Sequence, residues 1–444
     1  MKETQQQFNL PGVPRAKQGR EVPPKWEWTE ASVWTLRMLA TLETGVKGGK
    51  WFSLMDKVWK MENLQSAVKA VASNKGAAGV DGKTVETYLL ESPERLLKVQ
   101  AWLQAGEYTP KPVKRVWIPK LGSKELRPLG VPAVEDRVVQ TAVRNVIEPI
   151  FENIFAEHSY GFRPGRGAKD ALRRVDQLLK AGKVWVVDAD LKGYFDSIPQ
   201  DKLMDAVAGQ IADGPLLELI QRFLKQGVME SGKGWQPTQT GTPQGAVISP
   251  LLANVYLNPL DHLMAKAGRQ MVRYADDFVV MCESQKEAGE VLEEVRQWVE
   301  AAGLVLHPTK TRIVDASQKG GFDFLGYHFE RGYRWPRQKS LEKFRDTIRD
   351  KTGRLRPGSM RAIVEEVNRT LRGWFEYFKH SISNVFEKED KWLRGRLRTI
   401  ERKRHKLQGR ARGRDHQRWN NDYFEHLGLI SLALARRNAS RSPK

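Results

Sequence analysis

The sequence predicts an α+β body that ends near residue 330, followed by a helical and increasingly basic part. Two observations support this prediction. Before residue 330, stretches with apolar residues at helical spacing alternate with short runs rich in β-branched residues, whereas beyond Arg334 the pattern is mostly helical. In addition, 444 residues with 40% hydrophobic content are enough to bury two or three domain cores.

The elements before residue 130 are predicted to be an arm, two helical stretches and a hairpin. Residues 1–59 begin with a polar stretch containing several prolines, and they are predicted to form an amino-terminal arm or extension. Apolar residues then recur at helical spacing over 51–72 and 92–106. Residues 113–119 are predicted to form a short strand, and 121–126 the tip of a hairpin.

Two more helices and a buried strand are predicted in the middle of the chain. Apolar residues occupy one face of a helix over 136–155, and helical spacing returns over 169–179. Residues 184–190 are rich in β-branched side chains, which is typical of a buried strand. This strand ends at Asp190.

The last part of the α+β body is predicted to be helix, hairpin, helix and further strands. Residues 250–262 are expected to form a helix. Residues 271–282 alternate in polarity and predict a hairpin with its turn at 275–277. An amphipathic helix is predicted over 286–302, and further strands over 304–329.

The charge of the chain points to a polyanionic partner. Lysine and arginine outnumber acidic residues by 74 to 53, which gives a net charge of +21. Nucleic acid and anionic membrane are the usual partners of so basic a surface. No stretch has the apolar length of a membrane-spanning helix, and residues 1–20 lack the hydrophobic core of a signal peptide. We therefore expect a cytoplasmic protein with a nucleic-acid partner and no membrane partner.

The metal-binding chemistry open to the chain is that of oxygen ligands. Cys282 is the single cysteine, so no internal disulfide is possible. The eight histidines do not occur at zinc-binding spacings. If a metal is used, the sequence therefore indicates a hard cation and not zinc.

Two adjacent carboxylates, Asp276 and Asp277, are predicted at the tip of a hairpin with apolar arms. A turn needs one Asp or Asn at most, and like charges repel, so stability does not require the pair. A divalent cation would offset the repulsion. A solvated acidic turn is the alternative interpretation.

A third carboxylate is expected where the strand over 184–190 ends. Asp188 and Asp190 share one face of that strand, and periodicity does not choose between them. Together with Asp276 and Asp277, such a residue could hold two Mg²⁺ ions roughly 4 Å apart for phosphoryl transfer. A strand-ending, helix-capping aspartate is the alternative.

An ordered set of short motifs resembles the reverse transcriptase blocks of group II intron-encoded proteins. The matching segments are, in chain order, Gly79-Val-Asp-Gly82, Arg127-Pro-Leu-Gly-Val-Pro132 with Asp136-Arg137, Ser159-Tyr-Gly-Phe-Arg-Pro-Gly165, Asp190-Leu-Lys-Gly-Tyr-Phe-Asp196, Gly241-Thr-Pro-Gln-Gly245, Ser249-Pro-Leu-Leu-Ala-Asn254, Tyr274-Ala-Asp-Asp277, Leu306-His-Pro-Thr-Lys310 and Phe324-Leu-Gly326. Each motif alone is weak to moderate, but the complete set in family order is specific. Ala246-Val247 departs from the Gly-Gly that many relatives carry, and we expect from it a change in substrate handling at most.

The resemblance implies a right-hand polymerase followed by an α-helical thumb or maturase domain. The implied divisions are an amino-terminal arm (1–59), fingers (60–180), a palm with an antiparallel sheet (181–330), a thumb or maturase domain (335–400) and a basic nucleic-acid-binding tail (401–444). Fingers and palm together form the implied reverse transcriptase domain, 60–330.

The resemblance also selects Asp190 over Asp188. It implies that Asp190, Asp276 and Asp277 are the catalytic residues, and that they bind two Mg²⁺ ions together with the adjacent Leu191. Deoxynucleoside triphosphates (dNTPs) would be the substrates.

Five residues are implied to bind the incoming nucleotide: Lys120, Arg127, Phe195, Gln244 and Lys310. Lys120 and Arg127 would grip the triphosphate, although a solvated basic hairpin is the alternative. Phe195 would disfavour a 2′-hydroxyl, or else be a core aromatic. Gln244 would position the nucleotide, and Lys310 would act as an acid near the departing pyrophosphate.

The helical part carries two further resemblances to the thumb or maturase segment, over 372–378 and 392–398. Its aromatic side chains at 374–378 are predicted to be core and not base-stacking residues. The stretch 391–415 holds eleven Lys or Arg and is predicted to follow a nucleic-acid backbone, with a solvated charged face as the alternative. The residues expected to bind nucleic acid are Arg163, Arg166, Arg394, Arg396, Arg398, Arg402, Lys403 and Arg404.

These features together predict an RNA-directed DNA polymerase of group II intron type. It would bind intron RNA or another RNA template and a DNA primer or target, assist splicing, and support retrotransposition from a nucleoid-associated ribonucleoprotein. The chain reaches Lys444 without a Cys- and His-bearing nuclease cluster, so an endonuclease-lacking type is expected. The oligomeric state stays open.

Two alternatives are a non-catalytic maturase and a domesticated reverse transcriptase used in defence or repair. The intact carboxylates argue against the first alternative, because a splicing factor that only binds RNA has no need of them. The chain alone hardly separates the second alternative from the intron role.

Overall fold

The computed structural model describes residues 22–119, 126–407 and 412–441. After a short 3-10 helix at Pro24–Trp26, the helices of the amino-terminal part are α1 (Leu36–Thr44), α2 (Met55–Val58), α3 (Met61–Ser73), α4 (Val85–Ala105), α5 (Val134–Glu152) and α6 (Ala168–Lys180). The middle of the chain contributes α7 (Tyr194–Ser197), α8 (Gln200–Ala208), α9 (Gly214–Lys225), α10 (Ser249–Lys266) and α11 (Gln285–Ala301). The carboxyl-terminal helices are α12 (Gln338–Lys351), α13 (Met360–Phe378), α14 (Ser383–Arg404), α15 (Arg414–Arg418), α16 (Asn421–His426) and α17 (Leu432–Arg441).

The strands form three small sheets. The strands are β1 (Val113–Pro119), β2 (Leu126–Val131), β3 (Trp185–Asp190), β4 (Val228–Glu230), β5 (Gly234–Gln236), β6 (Gln270–Tyr274), β7 (Asp277–Cys282), β8 (Arg312–Asp315), β9 (Phe322–Phe324), β10 (Tyr327–Glu330) and β11 (Tyr333–Pro336). Their orders are β2-β1-β4-β5, β6-β7-β3-β8 and β11-β10-β9. The mixed α+β body with helices after it agrees with the sequence prediction, although β11 extends past residue 334, where helix was expected.

The central sheet β6-β7-β3-β8 is antiparallel and buried on both faces. Val187 and Val280 face the main core, which α10 and α11 also line. Val186 and Val279 face the opposite way, against the apolar side of α6. A sheet covered on both faces needs near-continuous apolar strands, which explains the β-branched run that predicted β3.

Two predicted helices differ from the structure at their boundaries. The stretch 51–72 is two helices, since Lys60 adopts an extended conformation (φ −56°, ψ 129°) between α2 and α3. Helix α4 begins at Val85 and not near residue 92, because the Thr84 side chain caps it by accepting a hydrogen bond from the Thr87 N–H. Pro93 therefore lies inside the helix and does not start it.

The two ends of the described chain are packed. Trp26 and Trp34 are buried in the main core, so residues 22–58 belong to the body and only part of the predicted arm precedes it. Trp419, Phe424 and Leu432 share one core with α12, α13 and α14. The helical domain therefore continues through the region where a separate basic tail was predicted. Among the described helices, none combines the length and apolar character that crossing a membrane requires.

Candidate active site at the end of the central sheet

The central sheet brings three of the predicted carboxylates to one end. Asp190 is the last residue of β3 and lies opposite Asp277, the first residue of β7. Asp276 precedes β7 in the turn from β6. Asp188 lies two residues back along β3, where the Arg312 Nε donates to its Oδ2 at 3.3 Å. The register thus distinguishes the two aspartates of β3 by position, since Asp190 pairs with Asp277 beside the turn and Asp188 pairs with Val279 further along the strand.

The carboxylates at this end of the sheet disfavour one another's charge. Burial raises the pKa of Asp277 to about 7, and the charges of Asp188, Asp276 and Asp190 raise it further. Burial also raises the pKa of Asp276, with a smaller contribution from Asp190. Buried like charges of this kind are stabilised by a cation.

Lys310 already supplies one positive charge to this group. Its Nζ donates to Asp190 Oδ2 at 2.5 Å, and its side chain is 60% exposed, so the pair is screened by solvent. Among the described residues, no three His, Cys, Asp or Glu side chains are gathered closely enough to make a ready-formed metal site. The oxygen donors suit a hard divalent cation, and Asp190 would have to leave Lys310 to bind one.

A buried arginine that the sequence did not reveal as part of the site holds the carboxylate turn. Arg273 is fully buried in β6, and its Nε donates to Asp261 Oδ1 at 2.7 Å. Its Nη1 donates to Asn254 Oδ1 and to the Ala275 carbonyl, both at 2.8 Å. Ala275 has φ +60°, a left-handed conformation that a residue with a Cβ rarely adopts. The arginine therefore stabilises a strained turn directly before Asp276.

Gly161 packs against the same turn. The Asn254 Nδ2 donates to the Gly161 carbonyl at 2.7 Å. A Cβ at Gly161 would lie 2.2 Å from the Ala275 nitrogen, which is backbone and cannot move aside as a side chain could. This close approach explains why the motif at 159–165 requires glycine at this position.

Arg163 and Arg166 were predicted to bind nucleic acid, and the prediction for Arg163 is wrong. Its side chain is 2% exposed and forms two hydrogen bonds with Glu152, at 2.7 and 2.9 Å. It also donates to the Ala156 and Ser159 carbonyls, so it fixes the loop from inside. Arg166 donates to a backbone carbonyl, and its guanidinium lies 5.8 Å from the centre of the Tyr160 ring.

A chain of hydrogen bonds joins the predicted nucleotide-binding residues. Arg127 Nε donates to Gln244 Oε1 at 2.9 Å, and Gln244 Nε2 donates to Asp196 Oδ2 at 2.9 Å. The three residues come from β2, the loop after β5, and α7, so the amide of Gln244 is held in one orientation from both sides. A cavity of about 680 Å³ opens beside Asp196 and Gln244. Sequence reasoning did not single out Asp196 for this role.

The other predicted nucleotide contacts have different surroundings. Phe195 is half-buried, packs against the main core, and makes an edge contact with Tyr194 at 5.6 Å. Leu191 is buried and forms an isolated backbone bridge with Leu306. Lys120 and the predicted hairpin tip at 121–125 lie outside the described residues.

Two families match the chain in succession. The reverse transcriptase (RNA-dependent DNA polymerase) family matches residues 118–329. The group II intron maturase-specific domain matches residues 341–419. Protein YkfC of Escherichia coli (strain K12) is 36% identical over 321 residues, which cover 63% of this chain and 83% of YkfC. The chain belongs to the group II intron reverse transcriptase/maturase family. Reverse transcriptases generally use divalent metal ions and dNTPs, and group II maturases bind RNA.

A second relative and a solved structure share different fractions of this reverse transcriptase. The group II intron-encoded protein LtrA of Lactococcus lactis subsp. cremoris is 41% identical over 199 residues, which cover 44% of this chain and 32% of LtrA. The chain thus spans about a third of the length of LtrA. Among solved structures, a telomerase from Candida albicans in complex with a fragment of telomeric RNA has a TM-score of 0.41 and 14% identity, covering 74% of this chain and 65% of the telomerase chain.

In the helical domain of this reverse transcriptase, the prediction that the aromatic residues are core is confirmed. Phe378 is buried, and Trp374 stacks on Phe344 with ring centres 4.4 Å apart. Phe375 makes an edge contact with the buried Phe386. The Tyr377 hydroxyl donates to a backbone carbonyl at 2.7 Å.

The arginines and lysine predicted to bind nucleic acid through the helical domain divide by burial. Arg398 is buried and its Nε donates to the Trp419 carbonyl at 2.7 Å, so its prediction as a nucleic-acid contact is wrong. Arg402 pairs with Asp415. Arg394 lies 3.9 Å from Asp390. Lys403 and Arg404 are exposed, and Arg404 also donates to a backbone carbonyl. Arg396 is half-buried and borders a cavity.

Proposed function

We propose that this reverse transcriptase joins dNTPs to a primer by two-metal nucleotidyl transfer at Asp190, Asp276 and Asp277. The observation that supports this most strongly is the pairing of β3 with β7, which sets Asp190 opposite Asp277 beside the turn of Asp276. Their mutual repulsion gives a second reason, because the charges of Asp188, Asp276 and Asp190 raise the pKa of the buried Asp277, and a divalent cation would offset this repulsion.

Mg²⁺ is the cation we assign to this group, because the donors are hard oxygens and no zinc-type ligands accompany them. The Asp190, Asp276 and Asp277 carboxylates would hold two ions, together with Leu191. When bound, the ions neutralise the charge that develops during phosphoryl transfer.

The remaining side chains would position the substrate. Arg127 would bind the triphosphate, and Gln244 would orient the nucleotide. The half-buried Phe195 would exclude a 2′-hydroxyl. Lys310 would leave Asp190 when a cation binds and would then lie free to give a proton to the departing pyrophosphate.

We further propose that the template is a group II intron RNA, which the protein also helps to splice. Fingers would occupy 60–180 and palm 181–330, and the helical thumb or maturase domain would extend to 441 because residues up to 433 share its core. DNA would serve as primer or target, in a nucleoid-associated ribonucleoprotein in the cytoplasm.

Primer extension on an RNA template tests the proposed chemistry. Wild-type protein should extend a DNA primer in the presence of Mg²⁺ and dNTPs, and Asp276→Asn should not. RNA binding by the variant should stay within about twofold of wild type, because Asp276 lies in the turn and not in a basic surface. No extension by wild type, with tight RNA binding retained, would leave a splicing factor as the function.

A splicing assay separates the intron role from defence or repair. The protein should accelerate splicing of a group II precursor RNA at low Mg²⁺ concentration, and Asp276→Asn should accelerate it equally. Extension without any effect on splicing would favour the domesticated reverse transcriptase.

A further inference from the structure

Three arginines surround one tryptophan on the surface of the helical domain. The guanidinium carbons of Arg345 and Arg349 in α12 each lie 5.8 Å from the centre of the Trp392 ring. That of Arg396, one turn along α14 from Trp392, lies 5.6 Å away. Guanidinium groups stack favourably on an indole ring, so Trp392 can hold several of them in one place.

The positive charge of this group is only partly compensated. Arg345 pairs with the buried Glu389, and Arg349 pairs with Asp346. Arg396 donates only to neutral groups, the Thr352 hydroxyl at 2.7 Å and two backbone carbonyls.

The positive charges of this group repel one another, and the pKa of Arg396 reflects that repulsion. Burial lowers its pKa, and the nearby charges of Arg349 and Arg354 lower it further. Arg354 and Lys391 are exposed, and neither forms an ion pair within the described ranges. Three cations close together, Arg354, Lys391 and Arg396, thus lack a carboxylate partner among the described residues, which suits this place to an anionic ligand.

Arg354, Lys391 and Arg396 border an open cavity of about 510 Å³, and Trp392 forms part of its wall. Within the part of the chain that the structure describes, no carboxylate contributes to its lining, which consists of Thr352, Arg354, Lys391, Trp392, Gly395, Arg396, Thr399 and His416. Gly395 leaves the approach clear, because a Cβ there would meet nothing within 4 Å. The cavity is large enough for a phosphate with its attached sugar, and it lies outside the matched reverse transcriptase region.

We propose that Arg349, Arg354, Lys391 and Arg396, arranged around Trp392, form a cradle for a backbone phosphate of bound RNA. This arginine cradle rests on the proposed function, which supplies the RNA. The fork of a guanidinium matches the oxygens of a phosphate, and two or three forks can bind one phosphodiester with specific geometry. Trp392 is a positioning residue in this proposal, because it orders the arginines and leaves their charges in place.

The first test measures RNA affinity by fluorescence anisotropy over a series of KCl concentrations. The variant Arg354→Gln/Arg396→Gln removes two cradle charges. Each phosphate contact contributes roughly 0.7–0.9 to the slope of log affinity against log salt. We expect the slope to fall by about one and the affinity at low salt to fall about tenfold.

Arg361→Gln/Arg369→Gln is the matched control, because it removes two exposed charges from α13, away from the cavity. Its slope should change by less than half as much. Equal changes in the two double variants would reduce the cradle to general surface charge and overturn the proposal.

The second test isolates the tryptophan. Trp392→Leu keeps every charge but removes the ring, and we expect RNA affinity to fall about three- to tenfold, with recovery in Trp392→Tyr. Thermal unfolding followed by circular dichroism checks that both variants fold. A loss that Tyr does not repair, in folded protein, would contradict a positioning role.

Two controls separate the arginine cradle from general electrostatic binding of RNA and from the proposed polymerase activity. Inorganic phosphate should compete with RNA less in the cradle variant than in wild type if a phosphate site is lost. Primer extension by the wild-type protein, measured in parallel, tests the proposed polymerase activity separately from the cradle. If wild type fails to extend while the salt slopes still differ, the proposed polymerase fails and the cradle stands.

Discussion

Gln244 is held by hydrogen bonds at both its amide oxygen and its amide nitrogen, which fixes the orientation of the amide. Its oxygen accepts from Arg127 on β2, and its nitrogen donates to Asp196 on α7. Without the Asp196 acceptor, the amide could rotate and present its N–H₂ to Arg127. If Gln244 binds the nucleotide as proposed, Asp196 acts on that substrate through Gln244 and is a positioning residue.

Replacing Asp196 should change nucleotide binding more than the chemical step. We expect Asp196→Ala to raise the KM for dNTP about five- to twentyfold while kcat falls less than threefold, since an orienting hydrogen bond is worth about 1–2 kcal/mol. Single-nucleotide incorporation kinetics measure both values.

The matched variant is Asp196→Asn, which keeps an oxygen acceptor for the Gln244 N–H₂ and should remain within about twofold of wild type. A large fall in kcat for Asp196→Asn would show that the carboxylate charge itself matters, against the positioning role.

At the scale of single elements, the turn between β6 and β7 shows what local sequence can and cannot reveal. The alternation over 271–282 and the paired carboxylates predict the hairpin because both signals are local. The position of Asp190 opposite Asp277 is not local, since it depends on pairing between β3 and a distant strand. The motif resemblance supplied that choice where periodicity did not.

The sequence also did not predict which residues support the turn between β6 and β7. Arg273 occurs in an ordinary strand pattern, and its burial follows from Asp261 and Asn254 reaching it from α10. Arg163 and Arg398 were wrongly predicted to contact nucleic acid for a related reason. A count of basic residues does not distinguish exposed side chains from buried ones. The sequence offered one hint of this support, which was the polar Asn254 at the end of the motif 249–254.

Gly161 offers the sharpest test of this element. We expect Gly161→Ala to reduce primer extension at least 100-fold, because the added methyl would displace the backbone at Ala275 and with it Asp276. The melting temperature should fall by only a few degrees.

Gly165→Ala is the control for Gly161→Ala. Gly165 also lies in the 159–165 loop, but it has φ +68° and open space around its Cβ position. That change should lower stability modestly and leave most of the activity. Equal activity in the two variants would contradict the role of Gly161 as a spacer for the turn.

For the whole molecule, stability depends on pH through several buried carboxylic acids, and Glu148 is one that lies outside the candidate active site. Burial raises the pKa of Glu148 in α5 to about 7, although Arg144 lies 3.6 Å away and opposes the shift. In the unfolded chain the pKa returns to about 4.5. The folded state therefore binds the extra proton between these values, and its contribution to stability is lost as pH rises from about 4.5 to 7.

Glu148→Gln should flatten this decline, because glutamine cannot ionise. Urea unfolding at pH 5, 6, 7 and 8 should show a loss of stability about 1–3 kcal/mol smaller than in wild type. The exposed Glu94 in α4 is the control, and Glu94→Gln should follow the wild-type curve. Parallel curves for all three proteins would contradict a raised pKa at Glu148.

The charge and the packing of the whole chain agree with its division into two functional parts. A net charge of +21 predicts nucleic-acid binding without locating it. The structure adds that the helical domain has its own core, which includes residues as far as 433. Composition cannot show this, because a basic segment predicts a tail whether or not its few apolar residues pack.

The most direct measurement of the central claim compares two aspartates on one strand. Single-turnover incorporation of one dNTP on an RNA template should fall at least 1,000-fold in Asp190→Asn and less than tenfold in Asp188→Asn, because only Asp190 is assigned to the metal-binding group. Both variants should bind RNA as wild type does. Equal losses, or the greater loss in Asp188→Asn, would contradict the assignment of this end of the sheet as the polymerase active site.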